Sequence, residues 1–298
     1  MLILEEDDVE VGIAPVFAGV DDKRPNRSAI FTIVRDDEFL ETWLANNREL
    51  FTDAYVLFHQ DEIRTHDYEL CQRWNTTLLR IYNDETCSWS WITDTINKFS
   101  AWLLNSHQFV AYTDVDEIIV DPRDRLKNFD KLPDFVRFVG LDIIQGDDEP
   151  PLNWQAPIKD QRQFAYCSTN ACKVVAKKRA TYQWDSGQHK LLSEPYDVLY
   201  GPIKEVPNLN PHIYLVHLHY FDMHSALLRS SARKNVAKFE QANNLGVQGW
   251  AKDLEDVKAS FARRRVESRL LVDRRCSTFV LRDDPFDIID RIQYLCSR

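Results

Sequence analysis

Strand-like and helix-like segments alternate over roughly the first 120 residues, which predicts an α/β fold with a mostly parallel central sheet flanked by helices. Two further observations support that class. At 298 residues and 44% hydrophobic, the chain has enough apolar residues for a sizeable core. Beyond about residue 220 the pattern turns helical, which reads as a C-terminal helical extension.

Ala29-Ile30-Phe31-Thr32-Ile33-Val34 reads as a buried strand after a polar stretch ending at Arg27. It runs through Arg35-Asp36-Asp37 into a helix with Phe39, Leu40, Trp43 and Leu44 on one face. A second strand, Ala54–Phe58, ends in His59-Gln60-Asp61. A short helix over Asp67–Trp74 leads to a third strand, Thr77–Tyr82. From Trp89 to Leu104, Ile92, Ile96, Phe99 and Leu103 recur at helical spacing. That helix feeds a strand over Phe109–Val120.

The second half is less regular. Phe135–Ile144 reads as a strand, followed by the acidic loop Gly146–Pro151. Ala171–Ala176 is a strand, Trp184–His189 a polar turn, and Pro202–Pro211 a loop. Ile213–Tyr220 is a strand with His217 and His219 on one face. Helices over His224–Asn244 and Asp253–Leu271 follow. No clean linker interrupts the chain, so it reads as one unit. Residues 1–27 are an N-terminal extension, 28–240 the main domain, and 241–298 the helical extension.

The formal charge of −10 makes a nucleic-acid backbone an unfavourable partner. None of the six cysteines forms a CxxC pair, and the acidic N-terminus is unlike a secretory leader, so they read as reduced thiols in a cytoplasmic protein. No stretch approaches the ~20 apolar residues of a membrane span, which leaves room only for peripheral membrane contact.

The segment Tyr112-Thr113-Asp114-Val115-Asp116-Glu117 carries the most chemistry, because buried carboxylates need a compensating cation. On an extended chain Asp114 and Asp116 share a face, and two hard oxygen ligands suit Mg²⁺ or Mn²⁺, which bridge to substrate phosphates. Glu117 would face the opposite way in a supporting role. The plain alternative is an acidic turn at a strand end. In parallel sheets ligands bind beyond the carboxyl ends of the strands. Arg35, Asp37, Asp61 and the Asp114-Asp116 pair all fall there.

Four pieces resemble family 2-like and family 92-like glycosyltransferases. They are Val34-Arg35-Asp36-Asp37 with its Trp43 helix, Asp114-Val115-Asp116-Glu117, Lys173-Val174-Val175 through Gly187-Gln188-His189, and His219-Tyr220 with Arg229-Ser230 and Lys234. The chain departs at Asp36 and Asp37, where Asn and Glu are usual, and it has no clear Glu-Asp base motif. The resemblance covers roughly residues 28–240. It implies a GT-A-like fold with a nucleotide-binding half (28–125) and an acceptor half (126–240). It also implies transfer of a sugar from a nucleotide-diphosphate donor, a UDP-sugar first among candidates, to a saccharide or glycoconjugate acceptor with Mn²⁺ or Mg²⁺, a chemistry of polysaccharide biosynthesis.

On that resemblance Asp116 is the direct metal ligand, with Asp114 on the ion or the ribose and His189 the first choice of histidine, ahead of His217 and His219. Arg35, Asp37 and Asp61 would meet base or ribose, and Lys173 phosphate. Helix capping and surface polarity are the plain alternatives for these. Candidates for the general base are the loop carboxylates Asp148 and Asp185, with Asp147 beside them. Two other classes compete. A haloacid-dehalogenase-type phosphatase also uses Asp-x-Asp, but there the motif opens the domain. A non-catalytic nucleotide-sugar-binding module would keep the fold without turnover.

Overall fold

The computed structural model describes residues 27–34, 39–59, 64–81, 88–153, 160–162, 164–166, 172–194, 207–231, 254–267 and 269–270. Residues 1–26 of the N-terminal extension and Arg35, Asp37 and Asp61 lie outside the described residues.

The fold is mixed α/β, as the alternation predicts. Four strands form its parallel part: β1 (Ser28–Val34), β2 (Asp53–Phe58), β3 (Thr77–Arg80) and β4 (Phe109–Tyr112), in the order β3-β2-β1-β4. Helices α1 (Leu40–Asn47), α2 (Thr65–Arg73) and α3 (Trp89–Leu103) make the crossovers. Parallel neighbours require such crossovers, and helices on the sheet explain why these strands read as unbroken apolar runs. Phe39, Leu40, Trp43 and Leu44 of the first crossover are at most 2% exposed. Each such side chain contributes ~1.5–3 kcal/mol by leaving water. Ile96, Phe99 and Leu103 of α3 pack on Phe31 and Tyr112 across the sheet.

Antiparallel pairing begins where β8 (Lys173–Lys177) joins β4. The long strand β6 (Phe135–Ile144) comes next, carrying β8 and then β7 (Phe164–Tyr166) along one edge. Along its other edge lies β9 (Leu209–His217) in parallel, which in turn holds β5 (Glu117–Val120) antiparallel. β9 starts earlier than the Pro-rich composition suggests. Pro211 is accommodated because the β6–β9 register shifts there, so its missing N–H breaks no ladder bond.

The single strand expected over Phe109–Val120 is instead two strands, β4 and β5, with a turn between them. Three carboxylates resist a ladder, and the turn uses one of them: Asp114 N–H donates to Glu117 Oε2 (3.0 Å), while Glu117 N–H donates back to the Asp114 backbone carbonyl (3.0 Å). The chain thereby leaves the β4 edge and crosses to β9. Helix α1 braces the crossing. Trp43 Nε1 donates to Thr113 Oγ1 (2.7 Å), and Asn47 bonds both the Glu117 carbonyl and the Ile119 N–H on the free edge of β5.

Helix α4, described over residues 223–231, follows β9, and α5 (Leu254–Glu267) closes the described chain with β10 (Arg269–Leu270) on β7. Val257 and Phe261 of α5 pack on Ile144, Tyr220 and Ala226. No described helix is long and apolar enough to cross a membrane.

Candidate metal centre

Sheet register explains how the site assembles. His217, the last residue of β9, is the cross-strand partner of Glu117 on β5 and of Asp142 on β6. Partners directly opposite one another share a face, so three ionisable side chains from three strands meet on one side of the sheet. Beyond β9 the Leu218 N–H donates to the Asp116 carbonyl (2.9 Å), which folds the chain back over the turn. Arg229 of α4 secures that segment by donating to the His219 carbonyl (2.8 Å). Asp116, His217 and His219 are thus brought together from positions a hundred residues apart in sequence.

The three residues each offer a ligand atom, and these atoms lie within 4.8 Å of one another. His217 Nε2 lies 3.6 Å and His219 Nδ1 3.8 Å from Asp116 Oδ2, too far for hydrogen bonds. Around an ion with ligands at ~2.1 Å, neighbouring ligand atoms stand about 3.0–3.4 Å apart, so small inward shifts would suffice. Asp116 Oδ2 is buried and has no hydrogen-bond partner among the described residues. The imidazoles of His217 and His219 stack with centroids 5.4 Å apart. Behind them His217 Nδ1 donates to Asp142 Oδ1 (2.9 Å), which leaves Nε2 turned toward Asp116. A carboxylate fixing the far nitrogen of an imidazole is the usual support of a metal-bound histidine.

Electrostatics agree with the geometry. Burial alone would push the Asp116 carboxyl up, but the His217 charge beside it, with His219 and Arg229, holds it well below the usual range. Burial disfavours the charged His217 ring, yet Asp116 and Asp142 outweigh it and push that ring up to about 10. Asp142, buried but facing Arg264 and His217, is held down at about 2. A proton on Nε2 therefore occupies the lone pair a cation would use.

The other two carboxylates of the turn share one cation, Lys173. Continuing the β4–β8 register brings Lys173 opposite Asp114. Its Nζ sits 2.8 Å from Asp114 Oδ2 and 2.6 Å from Glu117 Oε1. Tyr112 donates to the remaining Asp114 oxygen (2.8 Å). Asp114 and Asp116, expected on one face as joint ligands, thus have separate partners. Glu117, expected to point away, pairs with the same lysine as Asp114. Lys173, expected on phosphate, is held between two carboxylates.

His189 ranked first from sequence, and the geometry favours the other two histidines. His189 follows a tight turn in which Gly187 takes φ +76° and a Cβ would meet the His189 ring at 3.2 Å. Burial, with the charges of Lys173 and His217, pushes it down to about 4, so it is neutral. Its Nδ1 has no hydrogen-bond partner among the described residues, but it is outside the Asp116 cluster. Asp185 serves its own turn, accepting from Ser186 N–H (2.8 Å) and pairing with Lys190 (2.8 Å). Asp147 pairs with Arg265, and Asp148 is exposed in the same loop.

Sequence reasoning missed Asp142, although a signal existed. It is a lone carboxylate inside the apolar Val139-Gly140-Leu141-Asp142-Ile143-Ile144 stretch of a strand recognised as such. A carboxylate buried there needs a compensating partner just as Asp114 and Asp116 do.

The chain matches no family model and no curated protein. Among solved structures it is similar to a candidate nucleotide-diphospho-sugar transferase from Desulfovibrio desulfuricans, at 11% identity over 79% of this chain and 96% of that one, TM-score 0.31. It is similar to a 4-diphosphocytidyl-2C-methyl-D-erythritol synthase at 10% identity over 44% of this chain, TM-score 0.28, and spans 65% of that protein's length. A glycosyltransferase involved in glycosylation of the PBCV-1 major capsid shares 12% identity over 65% of this chain and 82% of that one, TM-score 0.24.

Proposed function

We propose that the chain is a glycosyltransferase that binds a nucleoside diphosphate sugar, a UDP-sugar first among candidates, together with a divalent cation held by Asp116, His217 and His219. One observation carries the reading: a buried, unbonded carboxylate oxygen faced by two histidines, one of them oriented from behind by Asp142. Its position supports a nucleotide ligand, since the turn follows the carboxyl end of β4 in the parallel part of the sheet. The four motif resemblances supply the sugar and the saccharide or glycoconjugate acceptor.

A cation bound there would offset the charge that develops on a departing diphosphate. The donor set of one carboxylate and two imidazoles suits Mn²⁺ better than Mg²⁺, which prefers oxygen. The chain's own residues do the rest. Asp142 fixes the His217 ring, Arg229 holds the His219 backbone, and Lys173 engages Asp114 and Glu117, which leaves Asp116 as the carboxylate of the turn that faces the two histidines.

Calorimetry tests the reading with UDP, GDP and CDP, each with Mn²⁺ and with chelator. The expected result is nucleotide binding that chelator removes and Asp116→Asn abolishes. His217→Ala and His219→Ala should each weaken Mn²⁺ binding more than His189→Ala does. Equal nucleotide affinity with metal and with chelator would overturn the proposal.

A further inference from the structure

Arg264 stands on α5, yet its guanidinium reaches the carboxylate that orients His217. Its Nη1 pairs with Asp142 Oδ2, while Asp142 Oδ1 takes the His217 Nδ1–H (2.9 Å). The two oxygens of one buried carboxylate therefore join a helix at the end of the described chain to the candidate metal centre. The separation between Arg264 and Asp142 is 122 residues. The guanidinium also lies over two aromatic rings, 4.8 Å from the Tyr166 centroid and 4.3 Å from that of Tyr220. A guanidinium held by two rings and a carboxylate has little freedom, so it restrains the rotation of the carboxylate it holds.

We infer that Arg264 is a positioning residue for the metal centre, setting the His217 ring through Asp142, so that α5 completes the site. The inference rests on the metal reading of Asp116, His217 and His219. Without Arg264, the buried Asp142 carboxylate loses its strongest partner and turns toward its remaining one or toward water, and the His217 ring turns with it. The neighbouring Arg265 provides an internal control. It docks the same helix by donating to the Gln145 carbonyl (2.7 Å) and pairing with Asp147, and neither bond leads to His217.

The experiment measures Mn²⁺ binding by the full chain, without nucleotide, in the parent and in Arg264→Met, Arg264→Lys, Arg265→Met, Asp142→Asn and Asp142→Asn/Arg264→Met. Loss of an outer partner of a ligand typically costs 10–100-fold in metal affinity. Asp142→Asn removes that outer partner and should bind Mn²⁺ about 10–100-fold more weakly, and Arg264→Met, one contact further out, at least about threefold more weakly. Arg264→Lys should recover part of the loss, and Arg265→Met should bind within about twofold of the parent despite loosening the helix. Because Arg264 acts through Asp142, adding Arg264→Met to Asp142→Asn should cost nothing further. If Arg264→Met fails to fold, the intermediate affinity of Arg264→Lys against an unchanged Arg265→Met decides. Parent-like affinity in Arg264→Met, an equal loss in Arg265→Met, or additive losses in the double variant would each overturn the inference while leaving the metal reading intact. A parent that binds no Mn²⁺ sinks the metal reading, and this inference with it.

Discussion

Lys173→Met should destabilise the fold by about 3 kcal/mol at pH 8, and by much less at pH 5.5. Lys173 is 8% exposed and bridges two carboxylates of unequal burial, Glu117 at 1% and Asp114 at 34%. Removing one member of a buried ion pair typically costs 3–5 kcal/mol, because the charge left behind has no partner. Asp114 contributes little to that cost. It keeps the Tyr112 hydroxyl and is one-third open to water, which screens it. Glu117 contributes most, since Oε2 retains the Asp114 N–H while Oε1 is stranded. The low end of the range follows.

The pH dependence has a definite sign. Burial already pushes the Glu117 carboxyl above its ordinary value, with Lys173 opposing it. Without the lysine it rises further. A carboxyl whose folded pKa is raised binds its proton more tightly in the folded state, so the penalty is full at high pH and fades as pH falls through the raised pKa. Urea unfolding at the two pH values measures both numbers. The variant Lys173→Met/Asp114→Asn/Glu117→Gln, which strands no charge, should regain most of the loss. A loss under about 1 kcal/mol, or one that does not change with pH, would refute the claim that Lys173 neutralises buried charge.

Two further predictions concern protons. His217 is held up to about 10 and must lose its Nε2 proton to bind a cation, so Mn²⁺ affinity should rise about tenfold per pH unit between pH 6.5 and 8.5. Titrations at three pH values check this, and a flat profile would remove His217 from the ligand set. Lys177 is wholly buried, donates to the Tyr182 carbonyl (2.7 Å) and lies 3.9 Å over the Trp184 ring, and burial pushes its amine down to about 7. A lowered amine costs stability in full below that value and progressively less toward its ordinary 10.5, so the stability of Lys177→Met relative to the parent should be greater at pH 6.5 than at pH 9. Thermal melts at both values measure the difference, and a constant difference would contradict it.

The sequence by itself determined the α/β class, the parallel strands and most helices, because these follow from local apolar periodicity. It also determined that Asp116 sits where charge needs a partner. Burial of Trp43, Phe99 and Val175 is legible one element at a time. The partners of each charge were not legible. Whether Asp114 or Asp116 is neutralised depends on the register that sets Lys173 opposite Asp114, and on the crossing that sends β5 to β9 rather than onward beside β4. The choice among His189, His217 and His219 likewise depends on which strands flank β9. Local sequence fixes which way a side chain points along its own element. Only long-range pairing fixes what it meets, and at a buried site the energy of a charge is set almost entirely by what it meets.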